Sequence, residues 1–304
     1  MIDVALAGTG GMAPLPGRFL TALLTRINGQ MLLIDCGEGT QITLKELGWG
    51  FKNLGCICFT HFHADHTAGL PGLLLTIGNA GREEPVTIVG PAGIRRIALS
   101  LLAIAPELPF SIQFVEIPSR TPFSIEMDQF RLSALPLRHG LDCFGYCLQM
   151  DRVGKFSAEA ALALGLPKPL WGRLQRLETV EYEGKTYRPD MVLGPPRRGL
   201  KVAYITDTRP TPTIPDFVRG ADLFVCEGLY GDDELLNKAR DHRHMIFSEA
   251  ATLAREGQVS ELWLTHFSPA MPFPDQFRGN AARIFPNVKI GRDRLCKTLV
   301  FEEE

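Results

Sequence analysis

Thr60-His61-Phe62-His63-Ala64-Asp65-His66 is the stretch whose reading decides how this chain folds. With seven histidines in 304 residues, a window of six should hold about 0.14 of them, yet here one window holds three, with an aspartate among them. Chance is a poor account of that density. The run before it, residues 56–60, has the short apolar character of a buried strand. Side chains alternate along a strand, so His61 and His63 project to one side as it ends. The chain then enters an apolar, helix-like stretch, residues 67–77, which directs Asp65 and His66 another way. One loop therefore offers two ligand pairs, which suits two adjacent metal ions. Imidazole nitrogen and carboxylate oxygen are donors that zinc prefers, and manganese and iron accept the same set.

One loop cannot close two coordination spheres, so further ligands belong at other strand ends. His139 follows the strand-like residues 130–137, Asp207 follows 201–206, and His266 follows 261–264. Each lies one or two residues beyond an apolar strand, and together they repeat one geometry.

Farther out, runs rich in branched and aromatic residues recur at 3–7, 21–27, 31–35, 87–89, 110–117 and 144–150, then at 223–226, 288–291 and 297–301. Helical periodicity falls between them, at 93–104, 232–243, 248–256 and 276–285. Strands in meanders with interposed helices predict two packed β-sheets flanked by helices, an αββα sandwich, over a doubly wound parallel sheet. One segment, about 151–200, loses strand character and gains prolines, so it reads as an arm inserted into a single domain spanning 1–304. Within it, residues 165–201 carry eight basic and four acidic side chains, while the whole chain has a net charge of −2. Trp171, Tyr182 and Tyr187 interleave there with Arg173, Arg176 and Arg188, a composition able to hold nucleic acid.

Composition sets the bounds. With 45% apolar and 22% charged residues, the chain is neither disordered nor fibrous. Seven cysteines, odd in number and without a Cys-x-x-Cys pair, argue against a disulfide framework and for a reducing compartment. The start lacks a signal-peptide pattern, and no uncharged run reaches the length of a membrane span, so a cytoplasmic protein with no membrane partner is expected.

The histidine run, with His139, Asp207 and His266, resembles the metal site of the metallo-β-lactamase superfamily. Its ribonuclease Z branch, the endonucleases that process the 3′ end of tRNA, is the closer resemblance. The motifs behind it are Asp35-Cys36-Gly37-Glu38-Gly39-Thr40-Gln41, Gly69-Leu70-Pro71-Gly72-Leu73-Leu74, Asp207-Thr208-Arg209-Pro210 and Thr265-His266-Phe267-Ser268-Pro269. The resemblance implies two Zn²⁺ per chain, one on His61, His63 and His139, the other on Asp65, His66 and His266, with Asp207 bridging. It implies that Asp65 also orients an attacking hydroxide, that His244 faces the scissile phosphate, that Glu227 orients His244, and that Asp35 supports the ligands from behind. His242 lies two residues from His244; on a helix the two point about 200° apart, so only one faces the site. The implied activity is a zinc-dependent endoribonuclease cutting the 3′ trailer from precursor tRNA by hydroxide attack on phosphorus. The arm, with Lys168, Arg173 and Arg176, would grip the tRNA, and in a homodimer would serve the partner's active site. Two other readings remain open: a dinuclear hydrolase of a small phosphodiester, sulfate ester or other small substrate, and an RNA binder without catalysis. Departures from the branch pattern fall at Leu15, Phe19, Lys168, Leu177 and Ala270, on the substrate side.

Overall fold

In β1 (Ile2–Gly8), Ile2, Val4 and Leu6 alternate with Ala5 and Ala7, and all five are buried. Apart from Asp3, which pairs with Arg26, the strand is apolar on both faces and must be covered on both sides. The computed structural model, which describes residues 1–105 and 107–302, supplies both covers. β2 (Ala22–Ile27), β3 (Gln30–Ile34), α1 (Thr40–Leu47), β4 (Leu54–Cys58), α2 (Ala64–Thr67), α3 (Leu70–Asn79), β5 (Val86–Pro91), α4 (Ile94–Leu101) and β6 (Ile112–Ile117) follow. Next come β7 (Phe123–Glu126), β8 (Arg131–Pro136), β9 (Phe144–Arg152), α5 (Ala158–Ala163), α6 (Trp171–Gln175), β10 (Val180–Tyr182) and β11 (Lys185–Tyr187). The remainder is β12 (Arg197–Ile205), α7 (Ile214–Val218), β13 (Leu223–Glu227), α8 (Leu236–His242), α9 (Phe247–Glu256), β14 (Leu262–Thr265), α10 (Arg278–Ala282), β15 (Val288–Ile290) and β16 (Cys296–Leu299).

Two seven-stranded sheets result, ordered β16-β1-β2-β3-β4-β5-β6 and β15-β14-β13-β12-β9-β8-β7. β3 to β6 run parallel, as do β12 to β15, while the outer hairpins are antiparallel. Between the sheets Thr21 Oγ1 meets the Tyr204 hydroxyl at 3.0 Å, and the Tyr146 hydroxyl donates to the Phe59 carbonyl at 2.8 Å. On the outer face of the first sheet, Ala5, Leu24, Leu33 and Ile57 pack with Leu70, Leu73 and Leu74 of α3. On that of the second, Ala203, Phe224, Leu262 and Leu264 pack with Phe247, Ala250 and Leu253 of α9. Each such leucine or phenylalanine contributes about 1.5–3 kcal/mol of burial. This is the expected αββα sandwich.

The topology positions the site. β4, β12, β13 and β14 are parallel strands, and loops leaving the carboxyl ends of such strands are where open α/β sheets bind ligands.

Residues 150–200 form a second compact unit. Its own core holds Ala161, Leu166, Leu174, Val180, Tyr187 and Val192, and Ser157 caps α5 by accepting from the Ala160 N–H at 3.1 Å. The segment is less irregular than its prolines predict. Glu183 and Gly184, both at positive φ, turn β10 into β11, and β12 begins at Arg197. The interleaved aromatics contribute to this core: Tyr187 is buried, and Trp171 packs on Phe156 while its indole N–H donates to the Leu166 carbonyl at 3.0 Å. Elsewhere the helical pattern at 276–285 yields only α10 after a 3-10 turn, and α1 and β7 form where no periodic pattern marks them.

Candidate metal centre

β4 ends at Cys58, and the loop after it carries His61 and His63 before α2 takes up Asp65 and His66. His139 follows β8, Asp207 follows β12 and His266 follows β14. Asp207 and His266, with Asp35 after β3, hold left-handed backbone at φ 47°, 59° and 61°. Such positions cost roughly 1–3 kcal/mol each in residues with a Cβ and gather where a site demands them.

The structure brings all seven sequence-predicted ligands together in two groups. In the first, His61 Nε2 lies 3.0 Å from His63 Nδ1, His139 Nε2 lies 3.4 Å from the same atom, and both Nε2 atoms lie 3.7 Å from Asp207 Oδ2. In the second, His66 Nε2 and His266 Nε2 are 3.2 Å apart, 3.3 and 3.2 Å from Asp207 Oδ1, and 3.7 and 3.4 Å from Asp65 Oδ2. Asp207 thus turns one oxygen to each group.

These distances test whether the residues fit metals. Ligands 2.0–2.2 Å from a tetrahedral ion sit roughly 3.3–3.6 Å from one another, and the spacings here, 3.0–3.7 Å, bracket that range. The opposite ring edges agree. Asp35 accepts from His66 Nδ1 at 2.8 Å and from the Thr60 N–H at 2.8 Å; Thr60 Oγ1 lies 3.0 Å from His61 Nδ1; the Arg243 carbonyl lies 3.3 Å from His139 Nδ1. Each outer bond fixes a tautomer and leaves Nε2 facing the cluster, as a metal-binding imidazole requires. Burial opposes ionisation of Asp207, but His266, His66 and His61 hold its carboxyl well below the usual range. The donor set therefore fits two divalent cations.

His244 and Glu227 join this cluster from β13 and the turn after α8. Glu227 is fully buried, accepts from the Thr208 N–H at 2.6 Å and the Met245 N–H at 3.2 Å, and lies 3.1 Å from His244 Nδ1. With Nδ1 so engaged, Nε2 is the atom left facing Asp207, at 3.9 Å. Burial works against the imidazolium, but Glu227 overcomes it and pushes the His244 pKa up to about 9. The two histidines at 242 and 244 do not share a helix. α8 ends at His242 and Arg243 turns left-handed at φ 63°, so both rings line one cavity of about 540 Å³ together with the ligands. His242 is held there by the Tyr230 hydroxyl at 2.8 Å from its Nδ1.

Against curated proteins, the chain is 49% identical over 305 residues to ribonuclease Z of Lachnoclostridium phytofermentans, covering 100% of this chain and 99% of that one. It is 50% identical over 303 residues to ribonuclease Z of Clostridium kluyveri, covering all of both. The chain belongs to the ribonuclease Z family. A family model described as anti-Pycsar protein Apyc1 also matches, over residues 2–162, so the chain belongs to the group gathered by that model too. Among solved structures, the short form of human tRNase Z superposes with a TM-score of 0.72 at 24% identity, over 98% of this chain and all of that one. The metallo-β-lactamase fold protein YhfI of Bacillus subtilis gives 0.69 at 19%, over the same shares. Both share the fold. Like other ribonucleases Z, the chain is a metal-dependent hydrolase of this fold.

The remaining sequence candidates belong to the other unit. Lys168, Arg173 and Arg176 belong to the 150–200 unit, where Arg173 and Arg176 both bind Glu178, at 2.9 and 3.0 Å. Sequence reasoning missed Arg209 and Glu249, an ion pair that also holds the His244 carbonyl through Arg209 Nη1. Arg209 stood within the quoted Asp207-Thr208-Arg209-Pro210, so its signal was present; Glu249 shows only as the acid three residues into α9. Met12, whose N–H donates to Asp65 Oδ2 at 2.6 Å, acts through its backbone and leaves no signal in side-chain type.

Proposed function

We propose that this chain is an endoribonuclease that removes the 3′ trailer of precursor tRNA, using two zinc ions. The observation that carries this reading is the pair of donor groups sharing Asp207, with His244 facing the same cavity. One ion would sit on His61, His63 and His139, the second on Asp65, His66 and His266, with Asp207 on both. When bound, such ions make water acidic enough to attack at neutral pH and neutralise phosphate oxygens.

The protein supplies direction and protons. Asp65, steadied by the Met12 N–H, orients the attacking water as an acceptor. Glu227 holds His244 protonated, with Nε2 toward the cavity. From there the proton goes to the ribose oxygen that leaves phosphorus, or stays to balance the charge gathering on the phosphate. Asp35 keeps His66 in the tautomer that ligation needs. The 1–304 chain is read as one domain of this fold whose 150–200 unit grips tRNA, and the working form as a cytoplasmic homodimer in which that unit serves the partner's site.

One observation favours the second reading, a small phosphodiester: three of the unit's arginines, Arg173, Arg176 and Arg188, are occupied by its own carboxylates. Precursor tRNA and bis(p-nitrophenyl) phosphate, offered side by side to metal-loaded protein, separate the two. Cleavage of both supports the nuclease; cleavage of the nitrophenyl ester alone supports the small substrate.

A further inference from the structure

Beside the metal cavity lies a second one, of about 430 Å³, and the two share His139, Gly140, Leu141 and Arg243 as a common wall. Three exposed arginines line it, Arg120, Arg138 and Arg243, against a single carboxylate, Asp142. That carboxylate is engaged by the Ser119 hydroxyl. Among the described residues, none of the three guanidinium groups has a carboxylate within ion-pair distance. Arg243 Nη1 instead donates to the His139 carbonyl at 3.0 Å, lying over Gly140, where any Cβ would collide with it.

Three arginines of the 150–200 unit behave otherwise: Arg173 and Arg176 bind Glu178, and Arg188 binds Asp190 at 3.1 Å. Three like charges around one cavity repel one another unless an anion enters, and guanidinium groups match phosphate oxygens in pairs. A polynucleotide whose scissile phosphate occupies the metal cavity carries its next phosphate only one nucleotide away, so it reaches across their shared wall.

We infer that the cavity walled by Arg120, Arg138 and Arg243 is a subsite for a backbone phosphate of the RNA strand adjoining the scissile bond. This rests on the nuclease reading and says where that reading's substrate is held.

The test compares wild-type protein with Arg120→Gln, Arg138→Gln and the double variant, all metal-loaded, on precursor tRNA and on bis(p-nitrophenyl) phosphate. Arg243 is left intact because it also positions His139. Both substituted side chains are exposed, so the ratio of tRNA to nitrophenyl ester kcat/KM should fall about ten-fold in the double variant, the low end for charged hydrogen bonds. The change should appear in KM. Each lost phosphate contact should also flatten the dependence of log KM on log salt by about 0.7. An unchanged ratio and salt slope, with tRNA still cut by the wild type, overturns the subsite alone. Weaker inhibition by inorganic phosphate with no change toward tRNA makes it a free-anion site and also overturns it. No tRNA cleavage by the wild type overturns the nuclease reading and the subsite together.

Discussion

Replacing Glu227 with Gln keeps the shape of a buried side chain and removes its charge. In the native protein this carboxylate raises the His244 pKa to about 9 from an ordinary 6.5, against the effect of burial. With the charge gone, Asp207 is the carboxylate left to offset burial, and the His244 pKa falls. The protonated fraction near neutral pH then drops, by about ten-fold for each unit that the pKa falls below the working pH. Orientation suffers too, because an amide offers one acceptor where the carboxylate serves the Thr208 N–H, the Met245 N–H and His244 Nδ1. Together these predict a fall in kcat on the order of 10²- to 10³-fold on precursor tRNA. The unmet hydrogen bonds should cost about 1–3 kcal/mol of stability. The loss should be smaller on bis(p-nitrophenyl) phosphate, whose leaving group departs as an anion near neutral pH. Steady-state kinetics beside elemental analysis reads all of this, and His244→Ala with Glu227→Gln should be no worse than either alone, since the two act as one unit. Near-native kcat in Glu227→Gln, loss of metal, or multiplying defects in the double variant would refute the reasoning.

Four further expectations follow from the same geometry. Metal-loaded protein should carry two ions per chain by elemental analysis, and Asp207→Ala, which takes an oxygen from each group, should lower occupancy of both. Asp35→Asn should weaken metal affinity roughly 10- to 100-fold, measured by chelator competition, because His66 loses the carboxylate that fixes its tautomer. Turnover should fall on the alkaline side as His244 loses its proton; bound cations would lower the pKa from about 9, so the limb should lie at or below pH 9 and vanish in His244→Ala. Burial opposes ionisation of Glu261, but Lys289 at 2.8 Å, Lys297 and Trp263 hold its pKa below 4.5, so it stabilises the fold above that pH and loses the effect as pH falls through the depressed value. Glu261→Gln should therefore cost on the order of 1 kcal/mol at pH 7 and progressively less as the pH falls below 4.5, read from urea unfolding.

Much of this was legible because metal chemistry uses few residue types. His61, His63, Asp65 and His66 announce themselves by density, and His139, Asp207 and His266 by their place after strands, since a parallel sheet delivers such positions to one end. The partners behind them were less legible. Thr60, Met12 and Arg243 contribute backbone groups or a hydroxyl, and nothing in their type distinguishes them from ordinary loop residues. The left-handed turn at Arg243 was invisible for a related reason: helical periodicity continues past the residue at which α8 stops. The basic segment was legible as a charge count but not as pairings. Counting charges at 165–201 found a positive region, but pairing with Glu178 and Asp190 is a matter of three-dimensional neighbours. Arg120, Arg138 and Arg243, far apart in sequence, meet only through folding.

The central claim, that two metal ions and His244 direct water at a phosphodiester of precursor tRNA, is tested most directly by mapping the ends produced when metal-loaded protein cuts a precursor with a defined 3′ trailer. Water attack with protonation of the leaving ribose oxygen predicts one cut at the trailer junction, leaving a 3′ hydroxyl on the tRNA and a 5′ phosphate on the trailer. A 2′,3′-cyclic phosphate at the cut, or an intact precursor under conditions where bis(p-nitrophenyl) phosphate is hydrolysed, would contradict it.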